Sequence, residues 1–452
     1  MNAVDLKTSV LERLDGGGAL RSAVVGAGAS GFAAAELLFA KGAEVTVLDD
    51  CAVALDALPP HLGRGPLTKA AVDGAELVVL SPGVPRANPQ LRTSILGGRL
   101  VGEVELASWF IQCPTLGITG TNGKSTTTAL LGHLLRQAEG RCFVGGNLGE
   151  PPSLLALRPE GVRLAVLELS SYQLESISTL RFAGSAWLNL QPDHLDRYPS
   201  YEAYAETKAR LYAHTDGPKV VSMDDPVVRA AGERSGGDLR YFSTRGPLEP
   251  GMSGVWVEDG VAFRGEERYE LDGPGLLGVH NHENAAAAIE LARSFGVTQS
   301  QVQAGLSTYR PLPHRLELVC FEDGVRWYDD SKATNVASAV TSARAMSTAY
   351  VLVVGGVDKG GSWAPLVEAA EPLARRVLGI GAASEVAEAA FAGKVPFEAC
   401  GTLEAAVERA RALTEPGQAV LLAPACASFD QFTSYAHRGR AFARLARQEP
   451  QE

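Results

Sequence analysis

What this chain has little of removes several classes of answer. Cationic side chains are outnumbered: 41 Lys and Arg against 52 Asp and Glu leave a formal charge of −11. A general nucleic-acid binder shows a basic face, so that role is excluded. Small anions held by local Lys, Arg or helix N-termini are not. Cysteine is sparse and scattered. Cys51, Cys113, Cys142, Cys320, Cys400 and Cys426 include no C-x-x-C pair, which reads as reduced core thiols in a cytosolic protein. No apolar run approaches the ~18 residues of a membrane span. The mixed, charged stretch from Met1 to Asp15 is not a signal peptide. Internal repeats and low-complexity tracts are also missing. What remains is a globular cytoplasmic protein with no membrane partner. At 452 residues it is too long for one core, and length divided by about 150 suggests three domains.

The most informative stretch that is present runs Gly117-Ile118-Thr119-Gly120-Thr121-Asn122-Gly123-Lys124-Ser125-Thr126. An apolar run, Thr115 to Ile118, feeds it, and a helix-like run from Ser125 to Gln137 leaves it. Strand, glycine loop, helix is the order of a phosphate-binding loop. Backbone N–H groups turn inward around phosphate oxygens and the helix dipole points at the same anion. Lys124 reaches the β/γ-phosphates, and the Ser125 or Thr126 hydroxyl ligates Mg²⁺. The strict G-x-x-x-x-G-K-[ST] pattern wants glycine at 118, where Ile118 stands. The bland alternative, a glycine loop with a surface lysine, leaves that order unexplained. A bound nucleoside triphosphate is expected.

Ahead of this lies Gly26-Ala27-Gly28-Ala29-Ser30-Gly31, after the strand Ala23-Val24-Val25 and before a helix, with Asp49 ending the next strand. That is a complete dinucleotide-binding fingerprint. Another strand, Glu76 to Leu80, runs into Ser81-Pro82-Gly83 at the same expected sheet edge. Beyond Pro311-Leu312-Pro313, a hinge-like boundary, come further strand–helix units with strands at Tyr350 to Val354, Arg376 to Gly379 and Val420 to Leu422. The expected architecture is α/β in three domains: a Rossmann-like one over 1–103, a P-loop-type parallel-sheet domain over 104–311, and a Rossmann-like one over 312–452.

Polar residues gather at the ends of the expected strands. Glu168 ends one and suits an Mg²⁺ shell, although a plain helix cap is the alternative. Asp193-His194-Leu195-Asp196 ends another. A lone histidine is more often structural, but this one falls at the edge that carries the phosphate loop. Lys208 falls on a helical stretch and by itself reads as a solvated lysine. Asn281 and Asn284 have the spacing of one helix face and suit an adenine or a phosphate, or an N-cap. In the third segment His314-Arg315, Asp329-Asp330-Ser331-Lys332-Ala333-Thr334-Asn335 and Pro424-Ala425-Cys426-Ala427-Ser428 pack charge and hydroxyls into turns. Any one is a plain cap; several in one domain look like a site.

Taken in order, these motifs resemble the Mur ligases, the cytoplasmic ATP-dependent amide ligases of peptidoglycan synthesis. Within that family they resemble the D-glutamate-adding branch, whose first domain carries a fingerprint of this kind. Gly120-Thr121-Asn122-Gly123-Lys124-Ser125 is the family's form of the loop, and the late turn departs from it at Ala423. The resemblance implies a monomer that uses ATP and two Mg²⁺ ions to join D-glutamate to UDP-MurNAc-L-alanine. It implies that Gly120 to Thr126, Asn281, Asn284, Arg315 and Asp330 hold ATP. Ser30, Asp49, Ser81, Pro82, Gly83, Asn147 and His194 would hold the UDP substrate, and not NAD. Lys332, Thr334, Ser428 and Tyr435 (a Phe in the family) would hold D-glutamate. Lys124, Glu168, His194 and Lys208 would be catalytic. Ser125, Glu168, His194 and a carbamylated Lys208 would bind metal. Two other readings stay open: a sibling or folate-polyglutamylating ligase, and an NAD-using dehydrogenase or nucleotide sensor.

Overall fold

The structure, a computed structural model, describes residues 2–138, 140–192, 197–273, 275–310 and 312–449. Its three sheets form three α/β domains along the chain. Short, continuous apolar runs such as Leu77–Leu80, Tyr350–Gly355 and Ala419–Leu422 are buried along their whole length. That is the signature of strands covered on both faces, as in parallel sheets flanked by helices.

The first sheet comprises β1 (Arg21–Val25), β2 (Glu44–Leu48), β3 (Gly63–Gly65), β4 (Leu77–Leu80) and β5 (Leu100–Gly102), all parallel, in the order β3-β2-β1-β4-β5. The order reverses between β1 and β4, so their following loops, at Gly26 and Ser81, flank the crevice where such sheets bind ligands.

The second sheet comprises β6 (Thr115–Thr119), β7 (Arg141–Gly146), β8 (Val162–Glu168), β9 (Gly184–Trp187), β10 (Lys219–Ser222), β11 (Leu239–Ser243), β12 (Gly254–Glu258), β13 (Val261–Arg264) and β14 (Glu267–Glu270). Its order is β14-β13-β12-β11-β10-β9-β6-β8-β7, parallel except for the last hairpins, β12–β13 and β13–β14. The Asp259-Gly260 turn closes the first hairpin, with φ of 49° and 77°, the left-handed pair that matches strand twist. The hairpin is not separate, because β12 pairs in parallel with β11 and extends the sheet. β9 stops at Trp187. Beyond it Asn189 turns its carbonyl and side chain to the Thr121 and Asn122 amides, 3.0 and 2.9 Å away.

The third sheet comprises β15 (Glu317–Glu322), β16 (Val325–Asp329), β17 (Tyr350–Gly355), β18 (Ala374–Ile380), β19 (Phe397–Gly401) and β20 (Ala419–Leu422), in the order β15-β16-β20-β17-β18-β19. Only β15 pairs antiparallel. Among the described residues no helix is long and apolar enough to cross a membrane.

These elements gather into two compact bodies, Met1–Glu270 with Glu283–Gly305, and Leu271–His282 with Leu306–Glu452. The first body holds two sheets because buried acids join them. Glu105 accepts from the backbone N–H groups of Ser178, Thr179 and Leu180 at 2.8, 2.8 and 3.2 Å, and from the Thr179 hydroxyl at 2.5 Å. Glu103, two residues earlier, takes the Ser153 N–H and hydroxyl on one oxygen, at 2.8 and 2.6 Å. Its other oxygen is buried without a partner among the described residues.

Burial pushes the Glu103 carboxyl up from 4.5 to about 7, against the Ser153 hydrogen bonds. Raised in the folded state, the group costs nothing below its unfolded value, and the cost grows as pH climbs towards 7. The wild type should therefore lose up to roughly 3 kcal/mol between pH 5 and pH 8 from this group. Glu103→Gln keeps an oxygen for Ser153 and should flatten that slope. Calorimetric melting at both pH values checks it; an identical slope in the two proteins refutes it.

Candidate active site

The phosphate loop is shaped by what surrounds it. β6 delivers the chain into Gly120, and the helix Lys124–Arg136 leaves it. Gly123 has φ of 80°, and a Cβ there would stand 2.1 Å from the Asn284 Oδ1, so no side chain is tolerated. Thr121 donates its N–H to the Asn189 carbonyl, and its hydroxyl contacts the Gln191 carbonyl at 3.3 Å. The Asn122 side chain donates to the Gln191 Oε1 at 3.0 Å. Lys124 folds back over the loop, its Nζ donating to the carbonyls of Gly120 and Thr121 at 3.0 and 2.8 Å. Ser125 is buried and Thr126 half-buried at the first helical turn. Asn284 accepts from the Thr127 hydroxyl at 3.1 Å, one turn further on. Asn281 donates its side-chain amide to the Leu277 carbonyl at 2.8 Å.

Beside the loop, Ile118 of β6 pairs with Glu168 of β8. Asn147 donates to the Glu168 Oε1 at 2.6 Å and its backbone N–H to the Glu168 carbonyl at 2.9 Å. The Glu168 Oε2 is buried with no partner among the described residues. A buried carboxylate oxygen left unsatisfied costs free energy, and a hard cation is the group that would satisfy it. Lys208 is not a solvated helix lysine. It is 1% exposed, its Nζ donating to the Gly120 carbonyl at 2.8 Å and the Thr119 hydroxyl at 3.3 Å. Tyr204, which the motif reading missed, lies one helical turn earlier. Its ring is 5.0 Å from the Lys208 Nζ and its hydroxyl 3.3 Å from the Thr121 Oγ1. His194 lies outside the described residues.

In the first domain the Gly26 loop is tight. A Cβ on Gly31 would meet the Gly26 carbonyl at 1.8 Å, and one on Gly26 (φ 101°) would meet the Ser81 side chain at 2.8 Å. Ser30 is half-buried in the first turn of the helix Ala29–Ala40. Asp49 shapes this loop: its two oxygens accept from the N–H groups of Ala27 and Cys51 at 2.7 and 2.8 Å. Ser81 and Pro82 of the Ser81-Pro82-Gly83 turn face a cleft that Arg86, Glu103, Gln173 and Arg197 also line.

In the third domain, turns follow β16, β17 and β20, which are adjacent. Asp330 donates its N–H to the Leu422 carbonyl at 2.8 Å and accepts from the Ser342 hydroxyl. Burial lifts its carboxyl to about 6, against the Ser342 bond and the Arg315 charge. Lys332 donates its N–H to the His314 carbonyl at 3.1 Å, and Thr334 follows in the same turn, its N–H on the Lys332 carbonyl at 2.8 Å. Ser428 is buried in the turn after β20, and Val357, in the turn after β17, bridges to Ala427 beside it. Asp358 and Lys359 of that turn are close enough for their charges to act on Cys426.

One residue binds these turns together, and no motif announced it. Arg438 is fully buried. Its guanidinium donates to the Ser331 hydroxyl and carbonyl, both at 2.9 Å, to the Cys426 carbonyl at 3.1 Å and to the Gly355 carbonyl at 3.3 Å. Burial draws it down to about 10, against the Asp430 and Asp329 charges. Its only forerunner in the sequence is an arginine on an amphipathic helix, which ordinarily faces water. Arg438→Met would orphan buried carbonyls at three strand ends, each costing about 1–3 kcal/mol. The melting temperature should fall by several degrees and turnover by more than tenfold. A variant that melts and turns over like wild type would show that the turns hold themselves.

Comparison with known proteins agrees with this geometry. Residues 21–102 match the family described as Mur ligase MurD-like, N-terminal domain, residues 118–292 the Mur ligase middle domain, and residues 314–426 the Mur ligase, glutamate ligase domain. A UDP-N-acetylmuramoylalanine--D-glutamate ligase of Myxococcus xanthus is 47% identical over 93% of this chain and 97% of its own. That of Anaeromyxobacter dehalogenans is 46% identical over 95% and 98%. Among solved structures, the fold resembles a UDP-N-acetylmuramate-alanine ligase from Thermotoga maritima (TM-score 0.62, 17% identity, 95% of this chain and 99% of that one). It also resembles a pseudomurein peptide ligase type C from Methanothermus fervidus (TM-score 0.58, 20% identity, 89% and 96%). With all three domains matched in order along almost its whole length, the chain belongs to the Mur ligase family.

Proposed function

We propose that this chain is an ATP-dependent amide ligase that joins D-glutamate to UDP-N-acetylmuramoyl-L-alanine, releasing ADP and phosphate, in peptidoglycan precursor synthesis. One observation carries the reading: a MurD-like first domain, a phosphate-loop domain and a glutamate-ligase domain run in one chain, at the length and order of the D-glutamate ligases it matches at 47% identity. We take the domains as 1–103, 104–311 and 312–452, the enzyme as monomeric and its location as cytoplasmic.

The substrate carboxylate attacks the γ-phosphorus of ATP, ADP leaves, and an acyl phosphate forms. The amine of D-glutamate then attacks the acyl carbon, loses a proton, and expels phosphate. The obstacle is repulsion between anions, so positioning and fixed charge supply most of the catalysis. Lys124, now resting on loop carbonyls, would swing to the transferring phosphate. Ser125 and the Glu168 Oε2, unpartnered among the described residues, would hold one Mg²⁺, and His194 with Lys208 a second. These ions add positive charge against the phosphates. For Lys208 to serve as a ligand its ammonium must leave the Gly120 carbonyl, give up two protons and add carbon dioxide to become a carbamate, which turns a cation into an oxygen donor. Asn281, Asn284, Arg315 and Asp330 would hold the nucleotide. Ser30, Asp49, the Ser81-Pro82-Gly83 turn, Asn147 and His194 would hold the UDP substrate. Lys332, Thr334, Ser428 and Tyr435 would hold D-glutamate. Phosphate release assayed with ATP, UDP-N-acetylmuramoyl-L-alanine and a panel of L- and D-amino acids tests the whole reading, which fails if D-glutamate does not stand out.

Lys124→Ala should lower turnover by about 10²-fold or more, the usual loss of a contact to charge developing in the transition state, while far-UV circular dichroism stays unchanged. Near-normal turnover at saturating ATP would remove Lys124 from the mechanism. Lys208→Ala should be inactive and regain activity in added acetate or formate, which would fill the vacated space with a carboxylate. No rescue, together with no dependence of wild type on carbon dioxide, would leave Lys208 as a brace for the Gly120 carbonyl only.

A further inference from the structure

His314 sits near the start of the third domain in a backbone conformation that costs free energy. Its φ is 63°, in the left-handed region that a non-glycine residue keeps only where its surroundings hold it. Its N–H donates to the Glu317 Oε2 at 2.8 Å, and its carbonyl accepts from the Lys332 N–H at 3.1 Å. Those two bonds already brace the backbone, yet the side chain is engaged as well. Its Nδ1 lies 2.6 Å from the Oδ2 of Asp329, a fully buried carboxylate at the end of β16. The other Asp329 oxygen accepts from the Ser331 N–H at 2.8 Å, which fixes the carboxylate. The last helix, Tyr435–Ala446, makes room for the pair. A Cβ on Gly439 would stand 2.2 Å from the His314 Nδ1 and 2.7 Å from the Asp329 Oδ2. The imidazole keeps 12% of its surface exposed. Its ring stands at 78° to that of Tyr435, centroids 6.4 Å apart, and the Tyr435 phenol accepts from the Lys332 Nζ at 2.8 Å. The histidine therefore lies among the residues to which D-glutamate was assigned.

The amine of D-glutamate is an ammonium at neutral pH and cannot attack until it loses a proton. We propose that His314, oriented by Asp329, is the base that removes it. The inference rests on the ligase reading above and names a group that reading lacks. An ionised carboxylate only accepts, so Asp329 keeps the ring proton on Nδ1 and the lone pair on Nε2. One proton passes from the ammonium to Nε2, and the nitrogen pair so released forms the C–N bond to the acyl carbon. The bond from that carbon to the phosphate oxygen breaks as the tetrahedral intermediate collapses, and the second amine proton leaves with the phosphate. The buried Asp329 carboxylate stabilises the imidazolium, which then returns its proton to water. Asp329 acts through His314 and is a positioning residue. The charged groups around the pair are Glu317 and Lys332 on the His314 backbone, Arg438, whose charge acts on Asp329, and the neighbouring Asp330 and Arg315.

The test compares D-glutamate with hydroxylamine, whose nitrogen is unprotonated at neutral pH and needs no base. Full-length wild type, His314→Gln and Asp329→Asn are given ATP and UDP-N-acetylmuramoyl-L-alanine with either nucleophile. Glutamine keeps an N–H for Asp329 but has no basic nitrogen. Asparagine donates to Nδ1, which moves the ring proton to Nε2 and blocks it. Both variants should lose about 10²-fold or more in kcat with D-glutamate near neutral pH. KM for ATP and for the UDP substrate should stay within about twofold, and hydroxamate formation within about threefold. The variants' D-glutamate rates should then climb about tenfold per pH unit as solution supplies free amine, where wild type levels off. Equal loss with both nucleophiles in a folded His314→Gln, or an unchanged D-glutamate rate in that variant, overturns the base. Wild type that forms neither the hydroxamate nor the D-glutamate product would remove the ligase reading, and the base with it.

Discussion

The central domain depends on the register of two parallel strands. Ile118 pairs with Glu168 and Gly117 with Leu167, so β8 ends beside the mouth of the phosphate loop. A slip of one residue would send the Glu168 carboxylate to the opposite face of the sheet, away from the Asn147 amide and the loop. The register is fixed by packing: Ala165, Val166 and Leu167 are almost fully covered, and a shifted strand would set each of them against neighbours shaped for a different side chain. The same constraint orders the third domain. Asp329 and Val353 both pair with Leu422, so three turns begin level with one another and lie within reach of one guanidinium.

How much of this was legible depends on whether the determinant was local. The phosphate loop could be read because strand, glycines, lysine and helix occupy one stretch. Glu168 was legible as a strand-end acid, but its orphaned oxygen was not, since that depends on a partner chosen from residue 147. Asp49 was legible as a strand-end acid, but the Ala27 and Cys51 amides that its oxygens also hold were not, because spacing does not encode them. Arg438, Tyr204, Glu103 and Glu105 were illegible for one reason. Each is a polar residue whose partners lie far along the chain, and a helix pattern shows only which face it belongs to. The short strands β10, β11 and β19 carry no motif and earn their place through the neighbours they pair with.

Two third-domain cations share a device. Lys332 rests on a phenol and Arg438 on carbonyls and a hydroxyl, with no carboxylate in ion-pair range among the described residues. Neutral oxygens satisfy N–H donors without cancelling their charge. A carboxylate partner would have placed equal negative charge beside them. The chain as a whole is acidic, so holding these cations on neutral acceptors keeps local positive potential that the average composition conceals.

The seam made by Glu105 also bears on how the protein is synthesised. Its acceptors are spent on amides as far as 75 residues downstream, which emerge from the ribosome roughly 4–15 s after it at ordinary elongation rates. During that interval the first domain has its five parallel strands in hand, while the acid that will lock it to its neighbour remains hydrated. The first domain is therefore finished in two stages: a sheet that forms from its own strands, and a terminal helix whose resting place is a surface not yet translated.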